Sequence, residues 1–371
     1  MSARLSFRIF AHSWTSDWNH GNAHFLRGLA QELVNLGHEV HCYEEANSWS
    51  RLNLREEGAE AEARALRQFR EAFPRLDVRV YQNGPGLQSF LDEEMRGANI
   101  VLVHEWNQPE VVKALLDRKH RMGFRALFHD THHRAYTSAK EILQFNLAQF
   151  DGVLAFGGAI RKIYREAFGI KRAWTFHEAA DTAHFGCQPA EKRSDVIWVG
   201  NWGDEERTRE LEEFLIQPAT KLRPKCHIYG VRYPQQARLR LATAGLEYRG
   251  YLPNLDAPRA YGESLITLHI PRRFYANGLS GVPTIRVFET LACGIPLVCA
   301  PWTDTDGLFT AGEDYVSVFN GRAMEGEMRH LIEDENARKQ LATQGRKTIE
   351  NRHTCRHRAR QLLEICEELD K

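Results

Sequence analysis

The sequence lacks an excess of charge of either sign. Its 49 Lys and Arg residues balance 49 Asp and Glu residues, so the formal net charge is zero with histidine neutral. A protein that mainly coats nucleic acid or an anionic membrane carries net positive charge, because the phosphates that it binds are negative. The balance argues against that class, although local basic patches stay open. The basic stretch at residues 117–125 is broken by Gly123, so we interpret it as a solvated helix end and predict no nucleic-acid partner.

The sequence also lacks paired cysteine motifs and long apolar runs. Its seven cysteines show no C-x-x-C spacing, which is typical of buried thiols in a reducing compartment. No run reaches the ~18 apolar residues that a membrane-spanning helix needs. The first residues, "MSARLSFRIFAHSW", are interrupted by Arg8 and do not form the apolar core of a signal peptide. We therefore expect a cytoplasmic protein without a transmembrane segment.

What the sequence has is a regular alternation of short β-rich runs with longer helical patterns. Residues 22–36 place apolar side chains on one helical stripe and end before Gly37, a typical helix stop. The first series of strands is predicted over residues 5–11, 38–44, 77–81, 99–104, 125–129, 152–156 and 172–177. After an irregular piece, a second series is predicted over residues 195–199, 226–229, 246–249, 265–270, 295–299 and 315–318.

Parallel strands joined by helices form doubly wound sheets, whose ligands bind beyond the carboxyl ends of the strands where strand order reverses. The sequence therefore predicts an α/β protein of two Rossmann-like domains, residues 1–180 and 181–352, whose switch points face a central cleft. Helices are predicted over residues 321–334, 336–351 and 353–369. In the last one, Ala359, Leu362, Leu363 and Cys366 share one side, so we expect residues 353–371 to pack back on the first domain.

The stretch "NGLSGVPTIRVFETLACG" predicts a glycine-rich loop followed by a helix that starts near Pro283 or Thr284. The free N–H groups of a helix start suit an anion, and Arg286 could bind the same phosphate in a bidentate way. Glu289, one turn deeper, could hold a pair of sugar hydroxyls. A solvated arginine and a capping glutamate are an equally good interpretation of this spacing alone.

Three motifs, "RVFETLACGIPLV", "FTAGEDYVSV" and "HTCRHRA", resemble the C-terminal half of GT-B glycosyltransferases. The resemblance points to the group similar to the spore-maturation protein CgeB, which is related to the retaining family of sucrose and glycogen synthases. It is strongest in residues 195–360, where "IWVGNWGDEERTRELEEFL" and "HIYGVRYP" follow in the order of the family. It implies a nucleotide-diphosphate sugar (UDP, GDP or similar) as donor, no required cofactor or metal, and retention of anomeric configuration. Acceptors in such families are glycans, lipids, proteins or small molecules.

The resemblance assigns the donor to the second domain. It implies that Glu289 holds the nucleotide ribose and that Arg207 neutralises the departing phosphate. The backbone N–H groups of the loop at residues 278–284, which includes Gly281 and Thr284, would face the diphosphate. Three further positions follow from it: Gly200 for close backbone approach, and Tyr251 and Leu252 beside the base.

In the first domain the resemblance places Gly21 in the loop where acceptor and donor sugar meet. "LFHDTHHRAY" ends a strand, and His129 corresponds to the histidine that contacts the transferred sugar in related enzymes. The remaining candidates for acceptor binding are His104, Glu105, Asp130, His132, His133 and Arg134.

The chain departs from the family pattern at two positions. Related enzymes carry two glutamates eight positions apart, but Gly281 stands eight before Glu289, and Asn201 stands where an arginine often follows "VG". Two alternatives therefore stay open: a sugar-nucleotide epimerase of the same fold and a non-catalytic binding subunit.

Two cofactor interpretations are less favoured. "HDTHH" contains four competent metal ligands, but no H-E-x-x-H or C-x-x-C partner fixes their geometry, so no metal site is predicted. "HGN" around Gly21 lacks the full G-x-G-x-x-G fingerprint. Although Glu44 and Glu45 end the second strand, they do not make up for that, and an NAD enzyme is not the main prediction.

Overall fold

The computed structural model describes residues 4–369 and 371. Residues 1–3 of the predicted first domain and Asp370 of the predicted last helix lie outside the described residues. The chain forms two compact units, residues 1–178 with 355–371, and residues 179–354. The chain leaves the first unit after Glu178 and returns to it at Cys355. No helix in the described part of the chain is long and apolar enough to cross a membrane.

The first unit contains a seven-stranded sheet in which every pair of neighbours is parallel. Its strands are β1 (Ser6–Phe10), β2 (Glu39–Glu45), β3 (Asp77–Tyr81), β4 (Ile100–His104), β5 (Arg125–Asp130), β6 (Gly152–Ala155) and β7 (Ala173–Thr175). The strand order is β3-β2-β1-β4-β5-β6-β7, so the order reverses between β1 and β4. All residues of β1 and β4 are buried, as expected for a parallel sheet covered on both faces.

The helices of the first unit follow the strands in sequence. They are α1 (Ala23–Asn35), α2 (Trp49–Glu56), α3 (Ala59–Ala72), α4 (Leu87–Glu94), α5 (Pro109–Met122), α6 (Arg134–Thr137), α7 (Ala139–Leu143) and α8 (Gly158–Lys162). Helix α5 shows the local signals most clearly, because Pro109 opens its first turn and Gly123, at φ +75°, ends it in the left-handed region. After α8 the chain widens into a π-helical turn, Ile163–Ala167.

The second unit repeats the plan with six parallel strands. They are β8 (Ser194–Val199), β9 (Cys226–Tyr229), β10 (Glu247–Gly250), β11 (Ser264–His269), β12 (Leu297–Cys299) and β13 (Val316–Ser317), in the order β10-β9-β8-β11-β12-β13. The reversal now lies between β8 and β11. Strand β12 starts two residues later than predicted, because Pro296 has no N–H group to donate to the ladder.

The helices of the second unit cover this sheet and share a buried apolar core with it. They are α9 (Thr208–Leu211), α10 (Gln217–Leu222), α11 (Gln235–Thr243), α12 (Ala257–Gly262), α13 (Arg273–Asn277), α14 (Ile285–Ala292), α15 (Gly321–Glu333) and α16 (Glu335–Arg352). A π-helical turn, Glu212–Ile216, joins α9 to α10. The prediction of two Rossmann-like units with parallel, doubly wound sheets is confirmed.

The last helix, α17 (Cys355–Leu369), belongs to the first unit. Arg358 donates from Nε to the carbonyl of His177 (2.9 Å), and Gln361 donates from Nε2 to the carbonyl of Thr175 (2.9 Å). Its buried face contains Ala359, Leu362 and Cys366 as predicted, whereas Leu363 is only half-buried and Ile365 takes its place.

The substitution Leu362→Ala should lower the free energy of unfolding by about 2–5 kcal/mol, because Leu362 is fully buried and its removal leaves a cavity. Urea denaturation of both variants measures the change. The matched control is Leu239→Ala, whose side chain is 60% exposed and should change stability by less than ~0.5 kcal/mol. Equal effects at the two positions would show that α17 does not pack as described.

Candidate functional site

The residues predicted for the donor lie at or beyond the carboxyl ends of strands in the second unit, mostly near its switch point. Strand β8 leads into Gly200, β11 ends at His269, and β12 ends at Cys299. A parallel sheet brings all of these ends to one edge, where α/β proteins bind their ligands. The residues that follow these three strands form the candidate donor site.

Arg207 is a buried cation at this edge. Its guanidinium lies 5.1 Å from the ring centre of Trp198 and donates to the carbonyls of Ile270 (3.2 Å) and Asn201 (2.5 Å). It also donates to Oδ1 of Asn201 (2.7 Å), while its Nε is buried without a hydrogen-bond partner among the described residues. No carboxylate in the described part of the chain forms an ion pair with Arg207. A buried charge without such a partner is costly, so this group is poised for an anion.

A second arginine, not singled out from the sequence, increases the positive charge around Arg207. Burial, together with the like charge of Arg272, lowers the pKa of Arg207 to about 10, so the group stays protonated at neutral pH. Arg272 pairs with Glu206 and also approaches Oδ1 of Asn201 at 3.4 Å. Asn201, the residue that departs from the family pattern, therefore holds two guanidinium groups in place.

His269 links the end of β11 to the start of α14. Its Nε2 lies 3.0 Å from Oγ1 of Thr284, and its Nδ1 lies 3.6 Å from Sγ of Cys299. Burial, together with the charges of Arg207 and Arg286, lowers the pKa of His269 to about 3. The two predicted arginines thus act on the same ring, which the sequence analysis missed. Its position at the last residue of a strand is the signal that could have found it.

The start of α14 agrees with the predicted anion site in part. Thr284 occupies the N-cap position, but its side chain does not cap the helix. There is no acidic residue in the first turn of α14, so the positive end of the helix dipole is not offset there. The charge of Arg286 also lowers the pKa of Arg207, so both cations belong to one electrostatic cluster.

Glu289 is fully buried one turn into α14. Its carboxylate accepts a short hydrogen bond from Nη1 of Arg286, which also donates to the hydroxyl of Tyr261 (3.2 Å). The structure therefore places Arg207 and Arg286 near His269, and Glu289 is connected to them through Arg286. The interpretation of Arg286 as a solvated side chain is wrong, because only 17% of it is exposed.

Gly281 has no room for a side chain. Its φ is +84°, and a Cβ atom would lie 2.4 Å from Oγ1 of Thr305 and 2.8 Å from Oδ1 of Asp306. The space that a glutamate would occupy in the family pattern is thus filled by the loop after β12. A carboxylate is still present at this point, but it comes from Asp306.

Three further residues predicted to contact the donor are Gly200, Tyr251 and Leu252. At Gly200 a Cβ atom would lie 2.8 Å from Trp198, so the glycine makes room for that ring. Tyr251 and Leu252 are half-buried in the loop that follows the edge strand β10.

In the first unit, the switch point carries a row of four histidines, His12, His20, His104 and His129, which we call the histidine row. The ring centres lie 5.1 Å apart for His12 and His20, 6.1 Å for His20 and His104, and 5.5 Å for His104 and His129. His104 and His129 are direct neighbours on β4 and β5. The sequence analysis missed His12 and His20, although both come shortly after β1 and thus belong to the same edge of the sheet.

Burial keeps the histidine row neutral. It lowers the pKa of His129 to about 3 and that of His12 to about 4, where the charge of Arg134 adds to the effect. The pKa values of His20 and His104 are also lowered well below 6.5, mainly by burial. Both ring nitrogens of His20 and of His129 are buried without a hydrogen-bond partner among the described residues. Such groups suit the hydroxyls of a bound ligand.

Two buried carboxyl groups, Glu105 and Asp130, lie behind this row. Glu105 accepts from Nε of Arg134 (3.0 Å) and from the N–H of Thr131 (3.0 Å). Asp130 accepts from the hydroxyl of Tyr164 (2.6 Å). Burial raises the pKa of both groups, and the neighbouring charge of Asp130 raises that of Glu105 further. Both side chains are held by protein donors.

The remaining candidates lie around this core. Gly21 lies in the turn between His20 and α1. The rings of His132 and His133 are 3.9 Å apart, and Nδ1 of His133 contacts the hydroxyl of Thr137 at 2.8 Å. Within residues 4–369 and 371, no group of three or more potential ligands is arranged to hold a metal ion.

Two family models match different parts of the chain. A family model described as Glycosyltransferase Family 4 matches residues 20–183, and one described as Glycosyl transferase-like matches residues 207–364. No curated protein sequence matches the chain.

Solved structures resemble the chain over nearly its whole length. HepE from Anabaena, in complex with UDP and glucose, has a TM-score of 0.70 at 13% identity and covers 98% of this chain and 100% of its own. Sucrose-phosphate synthase from Thermosynechococcus elongatus has a TM-score of 0.67 at 12% identity, covering 99% of each chain. A glycosyltransferase from Rickettsia africae has a TM-score of 0.66 at 12% identity and covers all of both chains. At such identities the likeness establishes the fold alone.

The low pKa of His269 makes stability depend on pH. Between about pH 3 and 6.5 His269 is protonated in the unfolded chain but stays neutral in the folded protein. The free energy of unfolding therefore falls as the pH decreases. Between pH 6.5 and 5.0 this group should cost roughly 1.5–2 kcal/mol. The substitution His269→Gln should flatten the profile by that amount, as measured by urea denaturation at both pH values. His330→Gln, at an exposed histidine of the same unit, should not; equal slopes for the two variants would contradict a buried, neutral His269.

Proposed function

We propose that the chain is a GT-B glycosyltransferase that transfers a hexosyl group from a nucleotide-diphosphate sugar to an acceptor hydroxyl with retention of anomeric configuration. The two glycosyltransferase family models and the fold shared with HepE and sucrose-phosphate synthase support this proposal. The single observation that supports the proposed donor site best is Arg207. This cation is buried, and no carboxylate among the described residues forms an ion pair with it. It lies at the sheet edge where α/β proteins bind ligands. A diphosphate would supply the missing negative charge.

The proposed chemistry is a displacement in which the acceptor enters on the face that the leaving group vacates. The bond from the anomeric carbon to the phosphate oxygen breaks, and the acceptor oxygen bonds to that carbon. The acceptor proton passes to the leaving phosphate, which departs as the nucleoside diphosphate. Retaining hydrolases use two carboxylates about 5–5.5 Å apart instead. Here the buried pair Glu105 and Asp130 is already held by Arg134 and Tyr164, which disfavours a nucleophilic role.

In this proposal the second unit mainly stabilises charge on the leaving diphosphate. Arg207, Arg286 and the start of α14 share that task, since an electrostatic contribution made in a buried site is large. Because guanidinium groups supply the positive charge, we propose that transfer needs no metal ion. We also propose that the protein acts in the cytoplasm, because its proposed donor is a cytoplasmic metabolite.

The other donor contacts follow the resemblance. We propose that Glu289 holds the ribose, that Tyr251 and Leu252 border the base, and that His129 binds hydroxyls of the transferred sugar. HepE, which has the same fold, binds UDP. This favours a uridine nucleotide as the donor of the present chain. Acceptor classes known in related families are glycans, lipids, proteins and small molecules.

Asp306 bears on whether the chain is catalytic. We propose that it replaces the carboxylate that Gly281 lacks, because its Oδ1 lies 2.8 Å from the position that a Cβ atom of residue 281 would occupy. This favours a transferase over a non-catalytic binding subunit. Incubation with the donor alone distinguishes a transferase from an epimerase, since only an epimerase would isomerise the sugar without an acceptor.

The substitution Arg207→Ala should lower kcat by roughly 10²–10³, about 3–4 kcal/mol, in the range of a lost oxyanion donor. Steady-state assays of nucleoside diphosphate release measure the effect. Arg209→Ala, at an exposed arginine two residues further on, is the matched control and should keep the full rate. A fully active Arg207→Ala enzyme would rule out the proposed role.

The substitution Glu289→Gln should weaken nucleotide binding by about 1.5–3 kcal/mol, because hydrogen bonds of the ribose to a charged carboxylate are lost. Calorimetric titration with UDP measures this, and Glu289→Asp should retain part of the affinity. If the affinity does not change, Glu289 serves only to hold Arg286.

A further inference from the structure

Two tryptophans of the first unit are exposed although they belong to an ordered aromatic cluster. Trp49 is 44% exposed and Trp106 is 39% exposed. The half-exposed ring of His12 contacts both, with its centre 6.2 Å from each of the two indole rings. We call these three residues the tryptophan platform.

Both indole rings are fixed from behind. Trp49 packs edge-on against Trp18 at 5.1 Å, and Trp18 donates from Nε1 to Glu57 (2.8 Å). The ring of Trp106 lies under the guanidinium of Arg134, at 3.9 Å from its centre, and that guanidinium is held by Glu105. The rings therefore lose little conformational freedom when a ligand binds.

The position of the platform connects it to the candidate sugar site. His12 is the only partly exposed member of the otherwise buried histidine row, and His20 is the next ring, at 5.1 Å. Trp106 follows β4 directly after His104 and Glu105. A ligand on the platform would thus lie next to the row that ends at His129.

We propose that the tryptophan platform is the acceptor site and that the acceptor is a carbohydrate, whose pyranose ring stacks on the exposed indole faces. The inference rests on the proposed function and names its acceptor class. A pyranose presents C–H groups on its faces, which suit the negative face of an aromatic ring. Its hydroxyl rim needs hydrogen-bonding groups, and His12, whose ring centre lies 6.2 Å from each indole, supplies them beside the rings. A lipid chain would need a continuous apolar surface without these polar neighbours.

The experiment titrates the full chain with maltose, cellobiose and lactose, using tryptophan fluorescence and calorimetry. The variants are Trp49→Ala, Trp106→Ala and the conservative Trp106→Phe. The control is Phe319→Ala, because Phe319 is an aromatic residue of the second unit that is 80% exposed. UDP affinity is measured for every variant, which reports on folding and on the donor site independently.

We expect at least one disaccharide to bind, with affinity reduced about tenfold or more by each alanine substitution. Trp106→Phe should keep most of the affinity, and Phe319→Ala and UDP binding should not change. The proposal is overturned if no disaccharide binds while UDP does, or if the alanine variants bind sugar as well as the original chain. It is also overturned if the tryptophans govern binding to phosphatidylglycerol vesicles rather than to sugars. Failure of the unsubstituted chain to bind either UDP or GDP would instead contradict the proposed function itself.

Discussion

The account depends on a positive charge that the second unit buries without neutralising it. Arg207 donates to two carbonyls and an amide oxygen, and its nearest cationic neighbours, Arg272 and Arg286, add to the positive potential. Desolvation of such a group costs free energy that the rest of the unit has to offset. A strand end, a stacked tryptophan and Asn201 hold the group in place nevertheless. An anion bound at this site would offset the cost of burying the charge of Arg207.

The candidate site of the first unit is built from neutral groups, in contrast to the positive charge of the second unit. Its histidine row stays uncharged at neutral pH because burial disfavours the protonated rings. Buried, neutral imidazoles can donate and accept hydrogen bonds without repelling the electron-poor anomeric centre of a sugar. Charge is therefore concentrated in the unit proposed to bind the diphosphate, and neutral hydrogen-bonding capacity in the unit proposed to bind the sugar and acceptor.

Much of the fold could be predicted from the sequence, because helices connect most of the short apolar strands of a parallel sheet and the two patterns alternate along the chain. Arg207, Arg286 and Glu289 were recognisable because they lie in continuous motifs. His269 and Asp306 were not, since they reach the site from the ends of other strands and only the strand order brings them there. The tryptophan platform combines residues 57 positions apart, and no local pattern links Trp49 to Trp106. At Gly200 the sequence suggested close approach of a ligand, and the structure adds a second reason for the glycine, because a Cβ atom there would lie 2.8 Å from Trp198.

The central claim, that the second unit recognises a diphosphate through buried guanidinium groups, is tested most directly by calorimetry with uridine, UMP and UDP in parallel. The account predicts that affinity rises steeply with each phosphate and that the gain from UMP to UDP shrinks in Arg207→Ala. The guanosine series serves as a parallel arm if the base is not uracil. Equal affinities for the nucleoside and its diphosphate in both series would contradict the account.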